Sequence, residues 1–156
     1  MYYQRIGHVA LRVQNLSASL NFYVNLLGME KGPCERNQDG EIWIQYVAIA
    51  ENSFLELFPV KDKPSAAEHY YLHHFCLEVE NLRGLVQELK RKNVLCYGGP
   101  EELQKKDRPL DLPAVTSSGS LCAWVEDPDG NAVELTELMP DSLLLRFQRQ
   151  KKNQCQ

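Results

Sequence analysis

The sequence predicts an α+β fold of two tandem βαβββ modules. Three observations carry that reading. His8–Leu16 (HVALRVQNL) returns as His74–Leu82 (HFCLEVENL); the offset, 74 minus 8, is 66 residues and carries Leu11, Val13, Asn15 and Leu16 onto identical residues. In both copies an alternating strand pattern gives way to a helical period. Each copy then runs on into extended segments separated by turn residues.

In the first module, 1–60, Arg5–Val13 reads as a strand. Val9, Leu11 and Val13 point to one face, and His8, Ala10 and Arg12 to the other. The apolar face should meet a helix. Residues 17–28 (SASLNFYVNLLG) supply it, with Ser17 as a plausible N-cap, Leu16, Leu20, Tyr23 and Leu27 on one side, and Gly28 as its stop. Met29–Arg36 is a strand made irregular by Gly32 and Pro33. Asn37–Gly40 (NQDG) is a hairpin turn. Glu41–Ala50 and Phe54–Phe58 are the last two strands.

Residues 59–71 are polar, contain two prolines and read as a linker. The second module, 72–138, restarts with Leu72–Val79. Phe75, Leu77 and Val79 form its apolar face; His74, Cys76 and Glu78 form the other. A helix over Leu82–Lys92 buries Leu82, Leu85, Val86 and Leu89. Val94–Tyr97 is a short strand, and Gly98–Gly119 a long loop. From strand histidine to strand glutamate this module spans 134 minus 74, or 60, residues. The first spans 56 minus 8, or 48. The surplus of 12 falls in that loop, which reads either as a lid or binding loop or as a tolerated surface insertion. Ser120–Glu126 and Asn131–Leu138 are strands joined by Asp127-Pro128-Asp129-Gly130, a strong turn signal. Residues 139–156 form a C-terminal helix, with Leu143, Leu144 and Phe147 on its apolar side, and a fraying KKNQCQ tail.

Composition narrows the function. A net charge of −4 leaves no basic footprint for nucleic acid. No apolar run reaches the roughly 20 residues that span a bilayer. With no basic segment ahead of an apolar one at the start, no signal peptide is expected and the cytoplasm is the default. Five cysteines, odd in number and without a CxxC pair, are expected to be free thiols. There is no GxSxG, Gly-rich phosphate loop or HExxH, so hydrolase triads, nucleotide binding and zincin chemistry have no motif.

Four residues stand out. His8 and His74 open equivalent strands. Glu56 (in FLELF) and Glu134 (in AVELTEL) sit in apolar strands near the ends of their modules. A buried carboxylate is costly unless it is paired or binds a metal. Singly, a strand histidine is more often structural, and a strand glutamate more often faces water. Matching positions in two modules shift the weight toward a divalent-metal site, since imidazole and carboxylate suit Zn, Ni, Co, Fe or Mn. His73 and His69 are out of register and read as non-ligands. Arg12 and Glu78, also equivalent at the 66-residue offset, read equally as a structural pair or, for Arg12, as a contact for a substrate carboxylate. Cys76 could line the same pocket, but nothing activates it as a nucleophile.

These stretches resemble the vicinal oxygen chelate superfamily of glyoxalases, bleomycin-resistance proteins and dioxygenases. The match runs over about residues 5–138: GHVALRV, FYVNLLGME, FLELF, HHFCLEVENL and, most specifically, VEDPDGNAVELTE. The resemblance implies paired βαβββ modules whose strands curl around a metal-containing cavity. It implies one divalent metal per site (Ni, Zn, Co, Mn or Fe, with Ni or Zn favoured), held by His8, Glu56, His74 and Glu134. Epimerases of the family usually place Gln where Glu56 stands, and dioxygenases and thiol transferases leave that position without a ligand. The His, Glu, His, Glu set is similar to bacterial glyoxalase I. It implies a lyase or isomerase moving a proton next to a metal-chelated carbonyl through an enediolate, with Glu134 the first choice as base and Glu56 the second. The implied partners are a small-molecule substrate, a thiol hemithioacetal among the candidates, and a second copy in a homodimer. Two alternatives stand beside it: a non-catalytic small-molecule binding or resistance protein, and an Fe(II) extradiol-type dioxygenase.

Overall fold

The computed structural model describes residues 7–51, 53–61, 74–105, 108–146 and 149. By its contacts the chain divides into two units. One is Met1–His73 with the turn Asp127–Gly130; the other is His74–Glu126 with Asn131–Gln156.

In the first unit, β1 (His8–Val13) leads into α1 (Leu16–Leu20), which continues as a π-helical segment, Asn21–Leu26. Three strands follow, β2 (Glu30–Arg36), β3 (Ile42–Ala50) and β4 (Ser53–Pro59). They form an open mixed sheet in the order β1-β4-β3-β2, with β1 parallel to β4 and the other pairs antiparallel. Leu11 and Val13, Val47, and Leu55 and Leu57 are buried with Phe22 and Tyr23. The alternation read along β1 holds, since His8, Ala10 and Arg12 are exposed.

The first helix departs from expectation at its N-cap and on its buried side. Its N-cap is Asn15, whose side chain accepts from the Ala18 amide, and not Ser17. Asn15 sits where the strand backbone is still extended, so its short amide reaches back to the first turn. The buried side is Ser19, Phe22 and Tyr23, while Leu16, Leu20 and Leu27 are only half-buried. The π segment advances the residue spacing and turns Phe22 and Tyr23 inward. Gly28 ends the helix at φ +78, a conformation that costs an L side chain strain. The irregularity expected at Gly32 and Pro33 is a register shift between Lys31 and Cys34. The buried Gln45 amide donates there to the carbonyls of both Gly32 and Pro33, 2.9 Å each.

The second unit repeats the plan. β5 (Phe75–Glu78) leads to α2 (Leu82–Arg91), whose N-cap Asn81 accepts from the Gly84 amide. Leu82, Val86 and Leu89 are buried on its inner side. After α3 (Pro100–Lys105) come β6 (Ala114–Val115), β7 (Leu121–Glu126) and β8 (Ala132–Glu137), in an open mixed sheet of order β5-β8-β7-β6. The expected strand at Val94–Tyr97 reduces to a single bridge, Tyr97 with Trp124. The long loop is not structureless. α3 occupies its start, β6 its end, and Asp111 holds it to α2 through Lys90 and Gln87. The apolar side expected of the C-terminal helix is not buried. Residues 143–146 are helical, yet Leu143 and Leu144 are exposed. Leu72, His69, His73, Phe147 and the KKNQCQ tail lie outside the described residues. Among the described residues, no helix is long and apolar enough to cross a membrane.

The DPDG turn counts with the first unit. The buried Tyr23 hydroxyl donates to Asp127 Oδ2 at 2.7 Å, and Asp129 accepts from the Gln14 amide (2.8 Å) and the Ser19 hydroxyl (3.2 Å). Asp127 Oδ1 accepts from the Asp129 amide, and Gly130 closes the turn at φ +88. Burial and the Asp127 carboxylate push the Tyr23 hydroxyl far above its ordinary range.

Candidate metal and acid–base site

Parallel pairing sets each histidine beside its glutamate. In the first unit Ala10 faces Glu56 across β1 and β4, and His8 lies two residues before Ala10 on the same face. In the second unit Cys76 faces Glu134 across β5 and β8, and His74 lies two residues before Cys76. The diagonal reach brings His8 Nδ1 to 3.5 Å from Glu56 Oε1, and His74 Nε2 to 3.1 Å from Glu134 Oε2. All four sequence-predicted residues therefore appear as two pairs at matching strand positions, one inside each unit, the first through His8 Nδ1 and the second through His74 Nε2. Among the described residues, no group of three or more His, Cys, Asp or Glu side chains could hold a metal ion together.

The donor set fits a divalent metal. Two ligands about 2.1 Å from one ion, at angles between square and tetrahedral, stand about 3.0–3.4 Å apart. The 3.1 Å pair lies inside that window and the 3.5 Å pair at its edge. A histidine–carboxylate contact has the same spacing, so the geometry permits a metal without requiring one.

The surroundings of the two pairs differ. Glu134 Oε1 accepts from the Thr136 hydroxyl at 2.8 Å, and the His74 ring meets Trp124 edge-on with centroids 4.7 Å apart. Trp124 faces Glu134 across β7 and β8, and it is packed with Tyr97, Cys122 and the Leu103 side chain of α3. The loop helix thus packs on Trp124, the ring that meets His74. In the first unit Tyr46 faces Glu56, but its hydroxyl donates to Glu35 Oε1 at 2.7 Å. That bond, chiefly, pushes the Tyr46 hydroxyl up to about 12. One residue pair further along the same face, Arg12 and Phe58 border a cavity of about 410 Å³, with Trp43 across it.

Arg12 and Cys76 both lie on the histidine faces of their strands. Burial, with the Glu134 charge adding to it, pushes the Cys76 thiol up, so it stays protonated and a poor nucleophile. Thr136, Trp124 and α3 were missed by sequence reasoning. A second offset could have found two of them: 134 minus 56 and 124 minus 46 are both 78, which matches Trp124 with Tyr46 as it matches the glutamates.

Residues 5–135 match the profile of the Glyoxalase/Bleomycin resistance protein/Dioxygenase superfamily. The chain belongs to that superfamily. Among curated relatives of this glyoxalase-superfamily protein is human mitochondrial methylmalonyl-CoA epimerase, 28% identical over 112 residues, which are 68% of this chain and 64% of the enzyme. The chain thus spans less than two thirds of that relative. Lactoylglutathione lyase of Neisseria meningitidis serogroup A is 29% identical over 142 residues, 85% of this chain and 90% of the enzyme. The crystal structure of a glyoxalase family protein from Enterococcus faecalis superposes with a TM-score of 0.67 at 25% identity, covering 88% of this chain and all of that one.

Proposed function

We propose that this protein is a metal-dependent lyase or isomerase of glyoxalase I type, with His8, Glu56, His74 and Glu134 as divalent-metal ligands for Ni or Zn. The observation that carries the reading is the matched register of the two His–Glu pairs. When bound, the metal supplies Lewis-acid polarisation of the substrate's adjacent oxygens. Lactoylglutathione and methylmalonyl-CoA, named by the two relatives, are both thioesters with a hydrogen on the carbon beside the carbonyl. Moving such a proton is work for a positioned carboxylate. Glu134 takes the proton from one carbon and returns it to its neighbour, with Thr136 on Oε1 and His74 beside Oε2 orienting the carboxylate. Glu56 is the second carboxylate, and Arg12 a contact for a substrate carboxylate.

The similarity to the human epimerase supports a second reading, the same proton transfer on a coenzyme A thioester. Glu56, where epimerases usually carry Gln, weighs toward the lyase.

Purified protein supplied with Ni²⁺ or Zn²⁺ and the methylglyoxal–glutathione hemithioacetal should form the thioester product. Stoichiometric metal should be lost in Glu56→Gln and Glu134→Gln. Metal content unchanged in both variants sinks the ligand assignment. Epimerisation of methylmalonyl-CoA without hemithioacetal turnover moves the function to the second reading. Tightly bound iron with oxygen consumption replaces both with a dioxygenase.

A further inference from the structure

The two units finish the outer side of their first helix differently. In the second, the segment before β6 lies along α2. Gln87 Nε2 donates to the Asp111 carbonyl at 3.1 Å, and Lys90 Nζ donates to the Asp111 carboxylate. Leu110 and Pro113, on either side of that aspartate, are half-buried. Residues 92–113, between α2 and β6, supply this segment. In the first unit the π-helical segment ends at Leu26 and β2 begins at Glu30, which leaves no length for one. A groove of about 720 Å³ lies open on the helix there. The repeat shows that it is the same place. With the 66-residue offset, 87 minus 66 is 21 and 90 minus 66 is 24, and Asn21 and Val24 both line the groove. Leu16 and Leu20 line it too. Their counterparts Leu82 and Val86 are buried, whereas Leu16 and Leu20 are half-buried.

The groove keeps the chemistry of the occupied face. Asn25 Nδ2 donates to Asn21 Oδ1 at 2.9 Å, so the Asn21 NH2 is left as a donor, the role that Gln87 plays on α2. The cation has moved from the helix to the strand, as Lys31 of β2, exposed at the groove's edge. Among the described residues, no carboxylate lines the groove. Half-buried leucines beside a lysine and an amide donor complement a peptide that carries a leucine and a carboxylate. We propose that this groove docks a short non-helical segment of a partner protein in which an aspartate or glutamate follows a leucine. The carboxylate meets Lys31, the adjacent backbone carbonyl accepts from Asn21, and the leucine covers Leu16 and Leu20. A second copy of this chain does not offer its own segment, because that segment is engaged with that copy's α2.

The chain's own occupant serves as the probe. A fluorescein-labelled peptide of residues 108–113, RPLDLP, titrated with the purified protein and read by polarisation, should bind saturably. Lys31→Glu should weaken it about fivefold, the worth of a well-placed exposed ion pair. Asp111→Lys in the peptide should lose a similar factor against the parent protein and regain it against Lys31→Glu, a recovery that damage to the fold cannot produce. Leu110→Asn in the peptide should weaken binding as well. Lys90→Glu, on the helix of the second unit, should leave the affinity unchanged. Absence of saturable binding, no loss in Lys31→Glu, or no recovery with the exchanged charges overturns the proposal. A loss in Lys90→Glu as large as that in Lys31→Glu puts the peptide on α2, in competition with the segment already there, and overturns it too. So does a dimer in sedimentation that Lys31→Glu dissociates, because a second copy then covers the groove.

Discussion

The His8–Glu56 and His74–Glu134 pairs are one device set on two backgrounds. Strand register gives both the same diagonal geometry. The second pair is closer, at 3.1 against 3.5 Å, and its histidine is 30% exposed against 55%. Thr136 and Trp124 fix the second pair, and α3 fixes Trp124. The first pair has Phe58 where the second has Thr136, and opposite Glu56 a tyrosine whose hydroxyl donates to Glu35. The repeat supplies the His–Glu pair twice, and the second has Thr136 and Trp124 set against it. Positioning groups of this kind set the orientation and basicity of a ligand or base.

The sharpest way to break this comparison is to exchange the glutamates for their amides one at a time. Glu134→Gln should lower hemithioacetal turnover by about 10²–10⁴-fold, the usual contribution of a general base. Assayed at saturating metal, Glu56→Gln should cost less in turnover and relatively more in metal affinity. Equal losses in both properties would make the two carboxylates interchangeable and the asymmetry irrelevant to catalysis. A smaller effect is expected behind the pair. Thr136→Val or Trp124→Leu should weaken metal affinity by about 10–100-fold, as lost outer partners of a ligand commonly do. Tyr46→Phe in the first unit should leave it within a few-fold. Competition with a chelator reads both.

The smallest effect concerns the fold. Tyr23→Phe leaves Asp127 Oδ2 without its buried donor, a cost of about 1–3 kcal/mol in urea unfolding. The same hydroxyl sets an alkaline limit. Its folded pKa is raised, so its stabilisation is complete below the ordinary tyrosine value of about 10 and declines as pH climbs beyond it. There the unfolded chain ionises while the folded one holds the proton. Stability measured between neutral pH and pH 11 should fall less steeply in Tyr23→Phe than in the parent protein.

Much of this was legible in the sequence because the repeat fixes strand phase. Once His8 and His74 share a phase, parity alone separates Leu11 and Val13 from Ala10 and Arg12. The glutamates followed from apolar neighbours that made a lone charge costly. What was not legible depends on pairing partners distant in the chain. Trp124 lies 50 residues from His74 and reaches it only through β8. The helix face was misread because a π segment changes the period on which the reading relied. α3 hid in a stretch whose glycines and prolines look like loop, although Glu102 closes it by accepting from the Gly98 amide.

The clasp on the DPDG turn has a consequence for how the chain is made. Tyr23 and Asp127 stand 104 residues apart, and the first unit is completed by four residues that emerge long after its own strands. During synthesis the first module leaves the ribosome with the Tyr23 hydroxyl and the Ser19 face of its helix still waiting. Only when the β7–β8 turn follows can those groups close. A chain ending before Asp127 should therefore be more protease-sensitive in its first module than one that extends through Gly130.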